Sequence, residues 1–204
     1  MKLLHVDSSI LGPASGSRRL SAGVVAEWRK QYPQVEVVSH DLAADPIPHL
    51  TGELLVAQGV DSSQHTPTVR HALALGTKAL EEFLVADVVV VGAPMYNFGI
   101  PSQLKAWIDR LAVAGRTFAY TEKGPKGLAG GKTMIIASSR GGFYGPETPL
   151  SAIDFQEKYL TAVFRFFGIT DIRFLRAEGV NVSPEARQQA IAAAERDIAQ
   201  LIAA

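Results

Sequence analysis

Two periods of hydrophobic and polar positions alternate along this chain. Short apolar runs over residues 3–7, 35–39, 87–92, 132–137 and 171–175 have the length and β-branched character of strands. The run Val88-Val89-Val90-Val91 has no polar side at all, as expected of a strand buried on both faces. Between these runs the period lengthens to that of a helix. A helix is predicted over 17–32, closed by Pro33, and looser helical patterning runs to Leu84, interrupted near 59–67. The next helix is predicted to start at Pro101, with Leu104, Trp107, Ile108 and Leu111 forming one apolar stripe. A glycine-rich connection is expected over 115–131, and another helix over about 151–167. The last helix begins at Ser183-Pro184 and turns Ile191, Ala194, Ile198 and Leu201 inward.

Five strands alternating with helices predict a doubly wound parallel α/β sheet with three layers, α/β/α. The expected strand order is the flavodoxin-like 2-1-3-4-5, whose switch point lies between the first and third strands. No repeat or linker divides the 204 residues, so 1–204 is expected to be a single domain.

Composition narrows the function. The 20 basic and 20 acidic residues balance and are scattered, which argues against a nucleic-acid footprint. No apolar stretch approaches the roughly 18 residues of a membrane span. Residues 1–7 are too short an apolar run for a signal sequence and are broken by Asp7, so they are expected to be a first strand in a cytoplasmic protein. With no cysteine there is no thiolate nucleophile, disulfide or iron–sulfur ligand. The five histidines lack metal-ligand spacing, and no metal site is expected. Chemistry here must come from a bound small molecule.

Three polar clusters stand at the ends of the first, third and fourth strands, where ligands bind in open α/β sheets. No G-x-G-x-x-G follows the first strand, Gly131-Lys132-Thr133 precedes a strand where a P-loop would precede a helix, and no G-x-S-x-G elbow is present. Asp41 lacks the glycines that would make it a ribose ligand. The first cluster holds Ser9, Ser15, Gly16 and Ser17 at a helix start, where free N–H groups favour phosphate and Arg18 or Arg19 adds long-range charge. Taken alone, Ser15 or Ser17 serves equally well as a simple helix cap. The second, Met95-Tyr96-Asn97-Phe98, sets aromatic and apolar bulk beside one amide, which suits a flat heteroaromatic ring better than a phosphate. The third, Ser139-Arg140-Gly141-Gly142, offers backbone donors to a ring edge. Phosphate, ring platform and edge donors together describe flavin mononucleotide (FMN).

The chain resembles the FMN-dependent NADH-azoreductases, also described as FMN-dependent quinone oxidoreductases, over essentially its whole length. The most specific stretch is Pro94-Met95-Tyr96-Asn97-Phe98-Gly99-Ile100-Pro101-Ser102-Gln103-Leu104-Lys105-Ala106-Trp107-Ile108-Asp109. It is supported by Thr117-Phe118-Ala119-Tyr120-Thr121, Gly124-Pro125-Lys126-Gly127-Leu128, Ser138-Ser139-Arg140-Gly141-Gly142 and Phe166-Phe167-Gly168-Ile169-Thr170-Asp171. The resemblance implies one non-covalent FMN per subunit held by Ser9, Ser15 to Ser17, Met95 to Phe98 and Ser139 to Gly142. It further implies a homodimer with the flavin near the interface, and Tyr120 close to the substrate pocket. The Gly12-Pro13-Ala14 segment departs from the family pattern, which leaves the phosphate geometry open at Gly16.

The reaction implied is ping-pong: NADH or NADPH reduces the flavin, and a quinone or aromatic azo compound then takes two electrons in the vacated place. The protein orients the substrates and no side chain is an obligatory acid. Two rivals stand beside it. A flavodoxin-type electron carrier is disfavoured by the zero net charge, because carriers of that kind are strongly acidic. A flavin-binding regulatory protein is not distinguished by sequence. Phe164, Phe166 and Phe167 are read either as a self-association surface or as core.

Overall fold

The four valines at 88–91 lie at the centre of the molecule, none more than 3% exposed. They belong to the middle strand of a five-stranded parallel sheet. The computed structural model describes residues 1–57 and 59–203. In chain order the elements begin with β1 (Lys2–Asp7), α1 (Gly16–Gln31), β2 (Glu36–Asp41), α2 (Gly52–Ala57), α3 (Pro67–Val85), β3 (Val88–Pro94) and α4 (Ser102–Leu111). There follow β4 (Phe118–Thr121), β5 (Gly124–Gly127), β6 (Thr133–Ser139), α5 (Phe155–Phe166), β7 (Asp171–Ala177) and α6 (Pro184–Ala203). The large sheet runs β2-β1-β3-β6-β7, the 2-1-3-4-5 order expected once the β4–β5 pair is set aside.

Strand alternation divides the core between two faces. Val89 and Val91 join Phe83, Trp107, Phe164 and Phe167 on the side of α3, α4 and α5. Val88 and Val90 join Leu20, Val24, Ile191 and Ile198 on the side of α1 and α6. Each such side chain, moved fully from water, contributes about 1.5–3 kcal/mol. Phe164 and Phe167 are wholly buried in the core, and Phe166 is half-buried against the same cluster. In α6, Ile191, Ala194 and Ile198 are buried as expected, with Ile202 buried and Leu201 half-buried beside them.

Three boundaries differ from the sequence expectation. Pro101 is the residue before α4, in an extended conformation, and not the first helical position. The helix expected from about 151 is a short 3-10 turn followed by α5, where the Asp154 side chain accepts from the Glu157 N–H at 3.0 Å and starts a new helix. The glycine-rich connection contains a hairpin, β4 paired antiparallel with β5. Its strands carry Gly124, Pro125 and Gly127 and show no alternation, so packing forms it: the Phe118 ring lies 4.7 Å from that of Phe166. A side chain at Gly127 would come within 2.2 Å of the Gly168 backbone, so this approach requires glycine.

Register brings the three clusters together. Asp7 pairs with Gly92 and Pro94 with Ser139, so β1, β3 and β6 finish side by side at the switch point. Gly92 is required there, because a Cβ would sit 2.1 Å from the Asp7 carboxylate.

Candidate functional site

The loop after β1 is built by its serines. The Ser8 hydroxyl donates to the Gly92 carbonyl at 2.7 Å, pinning the loop to β3. Ser15 caps α1, its hydroxyl accepting from the Arg18 N–H at 3.3 Å and lying 3.1 Å from the Ser17 hydroxyl. The cap reading is therefore realised, and it does not exhaust the loop: no protein acceptor takes the N–H of Gly16 or Ser17 among the described residues. Ser9, Ser15 and Ser17 are all buried. These N–H groups and hydroxyls at a helix start suit a phosphate.

Arg18 and Arg19 do not face this cradle as free charges. The Arg18 guanidinium donates to the Ser9 carbonyl at 2.7 Å and to Asp41 at 2.7 Å. Its hydrogen bond holds the Asp41 carboxyl below the ordinary aspartate value, and Asp41 in turn raises Arg18. Arg19 pairs with Glu195 of α6 at 2.6 Å. Asp41, considered above as a ribose ligand, is a structural partner of the serine loop.

The loop after β3 is a tight turn closed by reciprocal Tyr96 and Gly99 backbone hydrogen bonds, each 3.0 Å. Both central residues are left-handed, Asn97 at φ +48° and Phe98 at φ +69°. Asparagine tolerates that region, whereas a bulky aromatic rarely enters it. Strain of this kind is held in place where it positions a binding group. Phe98 is 45% exposed, and the N–H groups of Asn97 and Phe98 have no protein acceptor among the described residues. The Tyr96 hydroxyl lies 3.2 Å from the Ser9 hydroxyl and accepts from the Ile10 N–H at 3.3 Å. The first two loops thus share one wall. An open cleft of about 320 Å³ lies where Ile10 meets Tyr96, Asn97, Ile100 and Pro101.

The loop after β6 is joined to the second by a 2.8 Å hydrogen bond from the Met95 N–H to the Ser139 carbonyl. The Gly141 and Gly142 carbonyls accept from Asn181 and Gly179, leaving both glycine N–H groups without a protein acceptor among the described residues. Gly141 has a packing reason as well, since a Cβ would come within 2.8 Å of the Asn181 amide.

The Arg140 side chain turns inward from its loop. Its side chain is 1% exposed and meets Asp154 at 3.0 Å, Glu178 at 3.4 Å and Glu157, while its Nε donates to the Ser138 hydroxyl at 3.0 Å. Its own N–H is used by Ala177. Arg140 organises the loop from within because three carboxylates supply the partners a buried guanidinium needs. Tyr120, on β4, is 77% exposed and packs on Phe118, and no hydrogen bond joins it to the three loops. Within one chain it stands apart from them.

Gln156 was not singled out by sequence. It is wholly buried, accepts from the Ser138 hydroxyl at 2.8 Å and donates to the Ala93 carbonyl at 2.9 Å, locking the ends of β3 and β6. A polar residue on the buried side of α5 was its only signal. No helix among the described residues is long and apolar enough to cross a membrane.

A three-layer sheet with its polar loops at the switch point defines the class. The chain belongs to the flavodoxin-like fold family, whose model matches residues 1–202. It is similar, at 56% identity over 98% of its length and 96% of the relative's, to a Rhizobium meliloti protein named FMN-dependent NADH:quinone oxidoreductase. A Pseudomonas aeruginosa protein, FMN-dependent NADH:quinone oxidoreductase 2, is 53% identical over the full length of both. Among solved structures, an azoreductase from Bacillus anthracis superposes with a TM-score of 0.87 at 32% identity, covering 98% of this chain and 97% of that one. An FMN-dependent NADH-azoreductase from the same species, in complex with FMN, gives 0.85 at 28% identity, covering 98% of both.

Proposed function

We propose that this protein is an FMN-dependent oxidoreductase that uses NADH to reduce quinones to hydroquinones and to cleave aromatic azo compounds to amines. The observation that carries the proposal is the strained Asn97–Phe98 turn tied through Tyr96 to the serine loop, together with N–H groups at Gly16, Ser17, Gly141 and Gly142 that have no protein acceptor among the described residues. Relatives more than 50% identical that bear FMN and NADH in their names support the same reading.

The residues present fit FMN. Ser9, Ser15, Gly16 and Ser17 would hold the phosphate. Met95, Tyr96, Asn97 and Phe98 would carry the ring, and Ser139, Gly141 and Gly142 would meet its polar edge. Bound there, FMN supplies two-electron transfer between a nicotinamide and an electron-poor acceptor. The chain itself contributes position and fixed dipoles: backbone donors that need no reorganisation favour negative charge at the ring edge. Arg140 acts by holding the Ser139–Gly142 loop in place.

The active form is a homodimer, and all 204 residues of each copy form one FMN-binding unit. Exposed Phe98, Tyr120, Phe143 and Phe155 support the dimer, since they leave apolar surface uncovered in one chain. Tyr120, exposed and packed on Phe118, would then shape the pocket of the partner. A cytoplasmic location accords with the use of NADH.

The test is steady-state oxidation of NADH with menadione by the FMN-loaded protein. Turnover and a flavin spectrum bleached by NADH are expected. Bound flavin without turnover would leave a carrier or regulator instead.

A further inference from the structure

Among the described residues, the groove between α3 and α4 contains a buried cation with no counter-ion. Arg110, near the end of α4, is 5% exposed. Its Nη2 donates to the Ala72 carbonyl at 3.0 Å, its Nε is buried without a partner, and no hydrogen bond engages its Nη1. The neighbouring carboxylates are committed elsewhere: Asp109 to Lys105 and Glu81 to Arg116, each at 2.6 Å. Burial accordingly pushes the Arg110 guanidinium below the ordinary arginine value. A charge taken out of water needs a partner, and the other buried arginine, Arg140, has three.

A cavity of about 310 Å³ opens at this guanidinium, lined also by Leu73, Leu80, Val113 and Thr77. Gly76 makes room for the Arg110 side chain beside this cavity. It is buried within α3, and a Cβ there would lie 3.3 Å from Arg110 Nε. Glycine in a helix interior costs helix stability, so the space it leaves has a local cost.

We propose that the Arg110 groove is an oxyanion site that takes an aliphatic carboxylate. The guanidinium supplies charge-assisted hydrogen bonds, and Leu73, Leu80 and Val113 cover the apolar stem, which favours a carboxylate with a carbon chain over a bare phosphate. The carboxylate is that of a free small molecule.

FMN-loaded protein in chloride buffer is titrated with butyrate while melting temperature is followed, and its mass is measured by sedimentation. A free ligand predicts a saturable rise in melting temperature that Arg110→Met abolishes. A second copy in the groove predicts no rise, with Arg110→Met raising the dimer dissociation constant, and that result overturns the proposal. An identical rise in both proteins, or no rise in either, also overturns it. Without carboxylate, Arg110→Met should melt no lower than the parent, because it removes an uncompensated charge; a large drop would mean that Arg110 is already satisfied and would also overturn the proposal. Should Arg110→Met fail to fold, Arg110→Lys carries the test: it keeps the charge but loses the fork, so an effect at least threefold weaker is expected, and an equal one overturns the site.

Discussion

The Tyr96 hydroxyl stands 3.2 Å from the Ser9 hydroxyl, joining the loop after β3 to the loop after β1 across the switch point of the sheet. The same phenol accepts from the Ile10 N–H. One side chain therefore sets the separation between the proposed phosphate cradle and the proposed ring platform.

Tyr96→Phe should accordingly weaken FMN binding while leaving the fold intact. Loss of about 1 kcal/mol of net hydrogen bonding corresponds to a roughly fivefold higher Kd. Quenching of flavin fluorescence on titration measures it, and an unchanged Kd would remove Tyr96 from this role.

At Asn97 the backbone and the amide can be separated. Asn97→Ala keeps a Cβ at φ +48° but loses the short polar side chain that eases this conformation, leaving part of a left-handed strain of about 1–2 kcal/mol uncompensated, and it also removes the amide. Asn97→Gly removes the amide but relaxes the turn. If the amide meets the flavin ring, both variants release FMN more readily than the parent, although only Asn97→Ala loses thermal stability. Retention of flavin by Asn97→Gly at the parental Kd would assign the residue to the turn alone.

The Arg18–Asp41 pair carries a pH signature. Asp41 is held below its unfolded value of 3.8, first by the hydrogen bond from Arg18. A depressed carboxyl contributes stability that is fully present above the unfolded value and is lost as pH falls through the folded one. Arg18→Gln should thus be less stable than the parent at neutral pH, and the gap should close progressively below about pH 4. Denaturant melts at stepped pH check this; a gap that persists undiminished at low pH would contradict the linkage.

Arg140→Met leaves Asp154 and Glu178 facing a buried site without their cation, while Glu157 keeps only its pairing with Arg176 at 2.6 Å. Breaking a buried ion cluster from one side costs about 3–5 kcal/mol. Urea unfolding should show a loss of that size. A loss below about 1 kcal/mol would mean that the cluster is solvated.

The features legible in the residues alone are local and periodic. The uninterrupted valines at 88–91 mark a strand covered on both faces, and the stripe Leu104, Trp107, Ile108 and Leu111 marks a helix lying on it. The alternation of such segments leaves few sheet topologies, and the polar clusters at strand ends locate the crevice. Tertiary structure alone decided which way the polar side chains turned. Arg140 sits in a glycine-rich loop that reads as a ligand cradle, yet its guanidinium lies inside, because carboxylates at 154, 157 and 178 converge on it only once α5 and β7 are in place. Gln156, the bond between Ser9 and Tyr96 across 87 residues of chain, and the lone cation at Arg110 are of the same kind. The β4–β5 hairpin is a related case, held by Phe118 on Phe166 and by Gly127 against Gly168 with no pattern of its own. Periodicity reports how a segment meets a surface. The partner of a buried polar group is set by distance in space, which adjacent residues do not encode.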